Sequence, residues 1–141
     1  MKEINKVFDA YENETFALKL ERDVILVDGP DAGKYLQGQL TQDVLGMKEG
    51  ESVWSFLLNP DGKVNAWLRV SQISENQYLL DVDSDSGEAV TERLLRFKLR
   101  TDCELTLEKW DGVTIAGKDA SSYAGNLSLR QIVAQTAWHK I

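Results

Sequence analysis

Residues 26–70 read LVDGPDAGKYLQGQLTQDVLGMKEGESVWSFLLNPDGKVNAWLRV, and this stretch decides the fold. Asp28-Gly29-Pro30 predicts the start of a helix, because proline at the first helical position loses no needed N–H and a preceding Asp or Gly can act as the cap. Four apolar residues then recur at helical spacing: Ala32, Tyr35, Leu36 and Leu40. The stretch therefore opens with an amphipathic helix that buries one face.

A β-hairpin is predicted in the second half of this stretch. Asn59-Pro60-Asp61-Gly62 favours a turn, since proline fixes its own φ and glycine tolerates a positive φ. After the turn, apolar residues alternate with Asn65, Trp67 and Arg69. Because successive side chains of a strand point to opposite faces of the sheet, these three residues should lie on the face away from the core.

The remaining elements extend the helix and hairpin into one sheet with two helices. Segments rich in β-formers predict strands at 15–20, 23–28, 53–58, 63–71, 77–82, 103–109 and 112–116. A run of Asp and Ser at 83–87 supplies capping oxygens to a second helix, which ends at Lys98. This order predicts an α+β fold, a ferredoxin-like sandwich in which both helices cover one face of an antiparallel sheet.

Chain length and the lack of a linker predict a single domain. With 141 residues and 43% apolar composition, the chain is long enough for one core. We assign the domain to residues 1–118, of which the first dozen form a short helix or a frayed arm. Residues 119–141 form a tail of uncertain structure, in which the apolar residues leave a terminal helix and an interface segment equally open.

Acidic residues outnumber basic ones along the chain. Sixteen Lys and Arg against 23 Asp and Glu give a net charge of −7, which predicts repulsion of phosphate backbones and anionic lipid. Neither nucleic acid nor a membrane is therefore an expected partner. Four cations lie in and after the second helix and form either a basic patch or an ordinary solvated face: Arg93, Arg96, Lys98 and Arg100.

Cys103 is the only cysteine, so an intrachain disulfide is impossible and a reducing compartment fits. No apolar run approaches the roughly 20 residues that cross a bilayer. One histidine and one cysteine, without a paired ligand motif, predict no metal site. We expect a cytoplasmic protein without bound metal, in which Cys103 is a small buried hydrophobe.

Three strings together resemble a known family: GPDAGKYLQGQLTQDV at 29–44, LLNPDGKV at 57–64 and LLRFKLR at 94–100. In this order they are similar to the N-terminal domain of the YgfZ-like branch of the aminomethyltransferase (glycine-cleavage T-protein) superfamily. The resemblance covers residues 17–116. It implies a folate-binding fold whose relatives are longer and carry a second half that completes the folate pocket.

The resemblance also identifies what this chain lacks. Catalytic aminomethyltransferases carry an Asp pair after the hairpin turn, and the matching positions here are Ala66 and Trp67. YgfZ-like proteins carry a Lys-Gly-Cys-Tyr-Thr-Gly-Gln-Glu signature, which is absent here, and Cys103 does not replace it. Without the carboxylate, no residue is placed to steer charge or a proton at a transferring carbon. We therefore predict no catalytic residue.

A tetrahydrofolate site is implied at one face of the hairpin. Trp54 falls where catalytic relatives place an aromatic against the folate, and an indole can stack on a pterin. Asn65, Trp67 and Arg69 share the predicted face and can hold the ring and the glutamate tail. The alternatives are that Trp54 is a packing residue and that this face is an interface with another chain.

Two functions follow. The first is a non-catalytic folate-binding module that assists iron–sulfur or one-carbon enzymes, as the resemblance implies. The second is a ligand-free assembly domain that uses the same sheet face to form a homodimer or to dock a partner protein, because a half-length relative exposes a face that further domains would cover.

Overall fold

The computed structural model describes residues 15–117, 129–130 and 135–140, which form two helices and nine strands. In chain order these are β1 Thr15–Leu20, β2 Arg22–Asp28, α1 Ala32–Gln39, β3 Ser52–Leu58, β4 Val64–Ser74, β5 Gln77–Asp83, α2 Gly87–Lys98, β6 Glu104–Glu108, β7 Trp110–Gly117, β8 Leu129–Arg130 and β9 Gln135–Lys140. The predicted helix or arm in the first dozen residues lies outside the described residues.

The larger sheet has five antiparallel strands in the order β3-β4-β5-β2-β6. Both helices pack on one face of it, where Leu36 of α1 and Leu94 of α2 are fully buried with Ile25, Leu68 and Leu80 of the strands. The Tyr35 hydroxyl donates to the Leu94 carbonyl oxygen and links the two helices. The predicted α+β class, with two helices on one face of an antiparallel sheet, is confirmed.

Helix α1 begins two residues later than the proline predicts. Gly29 has φ 145°, and a Cβ built on it would lie 2.6 Å from the Asp102 carbonyl oxygen. Glycine alone fits this close approach and adopts this positive φ without strain, and the first helical residue is Ala32. Asp31 makes no side-chain cap, because its Oδ2 accepts the Asp102 N–H instead, at 3.0 Å.

Helix α2 takes its cap from another strand. The predicted cap was the run at 83–87, but Ser86 makes no side-chain capping bond. Instead the Gly87 N–H donates to Oδ2 of Asp23 in β2, at 2.8 Å. A carboxylate brought in by tertiary contact thus satisfies an N–H that the sequence assigned to a local residue.

The hairpin forms as predicted, with a turn closed by the Asn59 N–H to the Lys63 carbonyl at 2.8 Å. Along β4, Leu68 and Val70 are fully buried on the helix side. Asn65, Trp67 and Arg69 alternate with them on the opposite face, which holds the candidate site.

A second sheet, in the order β1-β7-β9-β8, was not predicted as a separate sheet. The predicted strands at 15–20 and 112–116 exist, but they pair with each other and not with β2. The described parts of segment 119–141 are strands, and β9 pairs with β7 over Trp110–Ile115. No helix in the described part of the chain is long and apolar enough to cross a membrane.

Candidate functional site

A stacked pair of indoles marks the sheet face opposite the helices. In the β3–β4 register, Trp54 lies opposite Arg69 and Phe56 lies opposite Trp67. Trp54 and Trp67 are therefore diagonal neighbours on one face, a separation that large rings can bridge. Their ring centroids are 4.6 Å apart at 29° between planes, and the side chains stay 37% and 53% exposed.

Two arginines and a shared carboxylate support this pair. Arg69 Nε donates to Asp81 Oδ2 at 2.7 Å, and Arg22 Nε donates to Asp81 Oδ1 at 2.9 Å. Both guanidinium groups also lie against Trp54, 5.2 Å and 5.5 Å from its ring centroid. A cation over an indole face is attracted by the negative π surface, so Trp54 is held by both guanidinium groups.

The charges of this cluster balance, but their exposures differ. Asp81 is completely buried and Arg69 is 3% exposed, so their ion pair lies inside the protein. Arg22 Nη1 also donates to Asp83 Oδ1 at 2.7 Å. Asp83 has 77% of its side chain exposed, so it is the carboxylate of the cluster that a solute can reach.

The second sheet covers part of the same face through Trp138. This indole lies in β9 opposite Gly112 of β7, and a Cβ at Gly112 would lie 2.6 Å from its ring. The Arg69 guanidinium of the larger sheet lies 5.5 Å from the Trp138 ring centroid. Arg69 thus contacts both indoles. Because Arg69 is buried and water cannot solvate its charge, the guanidinium pairs with the buried Asp81 carboxylate.

A cleft of about 310 Å³ opens beside Trp67, where β4 extends past the end of β5. Pairing between these strands begins at Arg69 opposite Asp81, so the first residues of β4 have no β5 partner. The cleft lies at this edge of the sheet beside the start of α2, and its polar and aromatic lining residues are Asn65, Trp67, Asp83 and Ser86. Asn65 also donates from Nδ2 to Asn59 Oδ1 at 3.0 Å, which holds it near the hairpin turn.

The structure thus brings three of the four predicted site residues into one cluster: Trp54, Trp67 and Arg69. Asn65 shares the cleft with Trp67, and its amide is bonded to Asn59 at the hairpin turn rather than held in the cluster. Sequence analysis missed Arg22, Asp81 and Asp83. The available signal was Asp81 itself, since a carboxylate in the apolar strand Tyr78–Val82 demands a buried cation.

Ala66 and Trp67 occupy the positions that the resemblance matches to the Asp pair of catalytic relatives. Both residues line the cleft, and Ala66 is half-buried against the core. Neither carries a carboxylate, and Asp83 on the neighbouring strand supplies the only acidic group among the described residues lining the cleft.

Cys103 lies apart from this cluster and is 3% exposed. Burial raises the pKa of its thiol, a rise that the nearby Lys98 opposes and Asp31 and Asp102 reinforce. A neutral buried thiol is a poor nucleophile. Within the described ranges, no group of three or more His, Cys, Asp and Glu residues is arranged to hold a metal ion.

Comparison with known proteins gives a consistent family. The family model described as GCVT N-terminal domain matches residues 22–137. An uncharacterized protein of Haemophilus influenzae is 32% identical over 106 residues, which cover 75% of this chain and 38% of that protein. An aminomethyltransferase of Clostridium botulinum is 30% identical over 84 residues, 60% of this chain and 23% of that protein. A mitochondrial iron–sulfur cluster assembly factor IBA57 homolog of Pyricularia oryzae is 33% identical over 94 residues, 64% of this chain and 24% of that protein.

The fold has a solved counterpart as well. The glycine cleavage system aminomethyltransferase T from Bartonella henselae superposes with a TM-score of 0.74 at 20% identity, over 89% of this chain and 35% of that one. The chain therefore spans 38% or less of the length of each of these relatives. Because the family model matches most of its length, the chain belongs to the GCVT N-terminal domain family, and its resemblance to YgfZ-like proteins and aminomethyltransferases is confirmed.

Proposed function

We propose that this chain is a non-catalytic folate-binding module that assists iron–sulfur or one-carbon enzymes. The observation that carries the proposal is the exposed stack of Trp54 and Trp67 beside the 310 Å³ cleft. Aminomethyltransferases and an iron–sulfur cluster assembly factor are among the similar proteins, which supports both the ligand class and the enzymes served.

The cleft offers complementary chemistry to a tetrahydrofolate ring. Trp67 supplies a flat apolar surface for stacking, and Asn65 supplies an amide donor and acceptor. Arg22 donates to Oδ1 of Asp83, and no donor among the described residues reaches Oδ2. A carboxylate oxygen accepts well from the amino and ring N–H groups of a pterin, so Asp83 would orient the ring.

Arg69 takes a different role from the one expected for a site cation. Its burial and its bond to Asp81 keep it from the glutamate tail of a folate. It lies 5.2 Å from the Trp54 centroid, so in this proposal it positions Trp54, which in turn holds Trp67.

The test is a titration of the chain with tetrahydrofolate and with 5-formyltetrahydrofolate, followed by tryptophan fluorescence and calorimetry. We expect saturable binding that weakens at least tenfold in Trp67→Ala, about 1.4 kcal/mol of binding free energy. Phe56→Ala is the matched control, because Phe56 is an exposed aromatic at 44% that does not line the cleft. Absence of binding at millimolar ligand would contradict the proposal.

The alternative function is an assembly domain that self-associates or docks a partner through the same face. An exposed apolar patch favours it, formed by Trp54 at 37%, Phe56 at 44% and Trp67 at 53%. Such patches commonly mark protein interfaces.

Light scattering across micromolar concentrations tests this alternative. An assembly domain should form an oligomer that both Trp67→Ala and Phe56→Ala weaken, whereas a folate module should lose ligand binding in Trp67→Ala alone. A monomer at every concentration rules out the homodimer, and a Trp67→Ala variant that changes neither property places the site elsewhere.

A further inference from the structure

A second concave surface lies on the helix side of the molecule, away from the tryptophan stack. Two cavities of about 470 Å³ and 350 Å³ adjoin there, and both are lined by Gly38, Gln39 and Phe97. We call them together the α1–α2 groove, because α1 and the end of α2 supply most of its walls. The residues that matter to its chemistry are Lys34, Gln39, Arg93, Phe97, Lys98 and Arg100.

Positive charge concentrates in the α1–α2 groove although the chain as a whole carries −7. Its one carboxylate, Asp31, already accepts the Asp102 N–H at 3.0 Å. Among the described residues, no carboxylate forms an ion pair with Lys34, Lys98 or Arg100. Lys34, Lys98 and Arg100 line the larger cavity of the groove and Arg93 lines the smaller one, whereas Arg96 lines neither.

Arg93 is fixed where the two cavities meet. Its Nη1 donates to Gln39 Oε1 at 3.0 Å, and its Nη2 donates to the Leu58 carbonyl at 2.5 Å. The guanidinium also lies 4.4 Å from the Phe97 ring centroid. A cation held in this way loses little further freedom when an anion binds, so the groove wall is prepared for a charged ligand.

An exposed apolar side chain stands at the end of the groove. Leu99 is 87% exposed, although it is flanked by Lys98 and Arg100. Its backbone has φ 51° and ψ −125°, a conformation that a side chain with a Cβ rarely adopts. Backbone strain of this kind clusters at functional sites, where the surrounding structure holds it in place.

We propose that the α1–α2 groove docks an acidic segment of a partner protein, with an apolar residue of that segment against Leu99 and Phe97. Charge complementarity selects the partner, since carboxylates of the segment meet Lys34, Lys98 and Arg100. The apolar residues and the two adjoining cavities suit a peptide rather than a single small anion. The net charge of −7 disfavours a nucleic acid, because its phosphates would continue beyond the groove onto the acidic remainder of the surface, whereas a short acidic segment stays within the groove.

Fluorescence anisotropy of a labelled peptide tests the proposal, with four Glu, one Leu and four Glu as the probe. We expect saturable binding at low salt that weakens at least tenfold in Lys98→Glu/Arg100→Glu. Lys48→Glu/Lys109→Glu is the matched control, because it makes the same change in net charge at exposed residues that do not line the groove, and it should alter binding less than twofold.

Further measurements separate the occupants. Leu99→Ser and an all-Glu probe should each weaken binding severalfold. If tripolyphosphate displaced the probe as well as unlabelled peptide does, the groove would be a small-anion site and the proposal would be wrong.

If both charge-reversed double variants weakened peptide binding equally, the binding would come from the overall charge of the protein and not from the groove. An oligomer that Lys98→Glu/Arg100→Glu dissociates would assign the groove to a second copy of the chain. A urea unfolding curve confirms that each variant is folded, and Lys34→Gln replaces a variant that is not.

Discussion

Asp81 is the buried carboxylate that pairs with both arginines of the site: it is completely buried and accepts hydrogen bonds from Arg69 and Arg22. Removing one partner of a buried ion pair is costly, since the other charge stays inside the protein. Asp81→Asn should therefore lower the free energy of unfolding by about 3 kcal/mol in urea titrations.

Asp83→Asn is the comparison, since Asp83 bonds to the same Arg22 but has 77% of its side chain exposed. Exposed ion pairs contribute about 0 to 1 kcal/mol, so this variant should stay near the parent chain. Similar losses in both variants would show that the buried pair has no special weight.

Leu99 offers the opposite experiment, a substitution that should stabilise the chain. With φ 51° and ψ −125°, the residue adopts a backbone conformation that glycine reaches without strain. Leu99→Gly should raise the free energy of unfolding by about 1 kcal/mol. Leu95→Gly, at an exposed helical position nearby, should lower it by about 1 kcal/mol. A loss in both variants would mean that the Leu99 backbone is not strained.

At the residue scale, the sequence predicts the face of the sheet on which a side chain lies wherever a strand alternates apolar and polar residues. The period of β4 places Trp67 and Arg69 on one face and the family resemblance points to Trp54, and the structure brings the three into contact. Arg22 and Asp81 escaped prediction because they lie 59 positions apart, and only strand pairing joins them. No local pattern records such a pairing.

At the scale of elements, the Tyr35 hydroxyl of α1 donates to the Leu94 carbonyl of α2, and this buried hydroxyl makes the free energy of unfolding depend on pH. Burial raises the pKa of Tyr35 to about 12, a rise that Arg93 partly opposes. The unfolded chain then loses its tyrosine proton near pH 10 while the folded chain keeps it, so stability falls as pH rises from about 10 to about 12.

Tyr35→Phe should reduce this alkaline loss while costing about 1 kcal/mol at pH 7 through the missing hydrogen bond. Unfolding by urea at a series of pH values measures both effects. Tyr78→Phe controls for the second tyrosine whose pKa burial raises. An unchanged slope between pH 10 and 12 in Tyr35→Phe would show that Tyr35 does not govern it.

Helix boundaries show what local patterns omit. Both helices exist where apolar periodicity predicts them, but their starts depend on Asp23 and on the Asp102 backbone, which come from elsewhere in the chain. Capping rules read neighbouring residues only, so an N–H satisfied through tertiary structure shifts the observed start.

For the molecule as a whole, Trp138 is the side chain that joins the two sheets over Arg69. Trp138→Ala should lower the free energy of unfolding by about 2 to 3 kcal/mol, below the usual range for a fully buried tryptophan because this ring is half-buried. Trp67→Ala, at a residue that is 53% exposed, should cost less. Equal costs would mean that the second sheet adds little to the stability of the first.

The second sheet was beyond sequence analysis because its pairing joins the two ends of the chain. β1 and β9 flank β7, although Leu20 and Gln135 are separated by most of the sequence. The assignment of a separate tail at 119–141 stays a prediction, while its described strands pair within this sheet.

The contact between Trp54 and Trp67 has an optical consequence. Two indoles 4.6 Å apart and inclined by 29° share their excited states, and a fixed chiral arrangement of such a pair gives a bisignate circular dichroism band. The chain therefore carries its own spectroscopic probe of the site. Loss of that band on substitution of Arg69 or Arg22 would report that the indoles have moved apart, with no ligand in the cuvette.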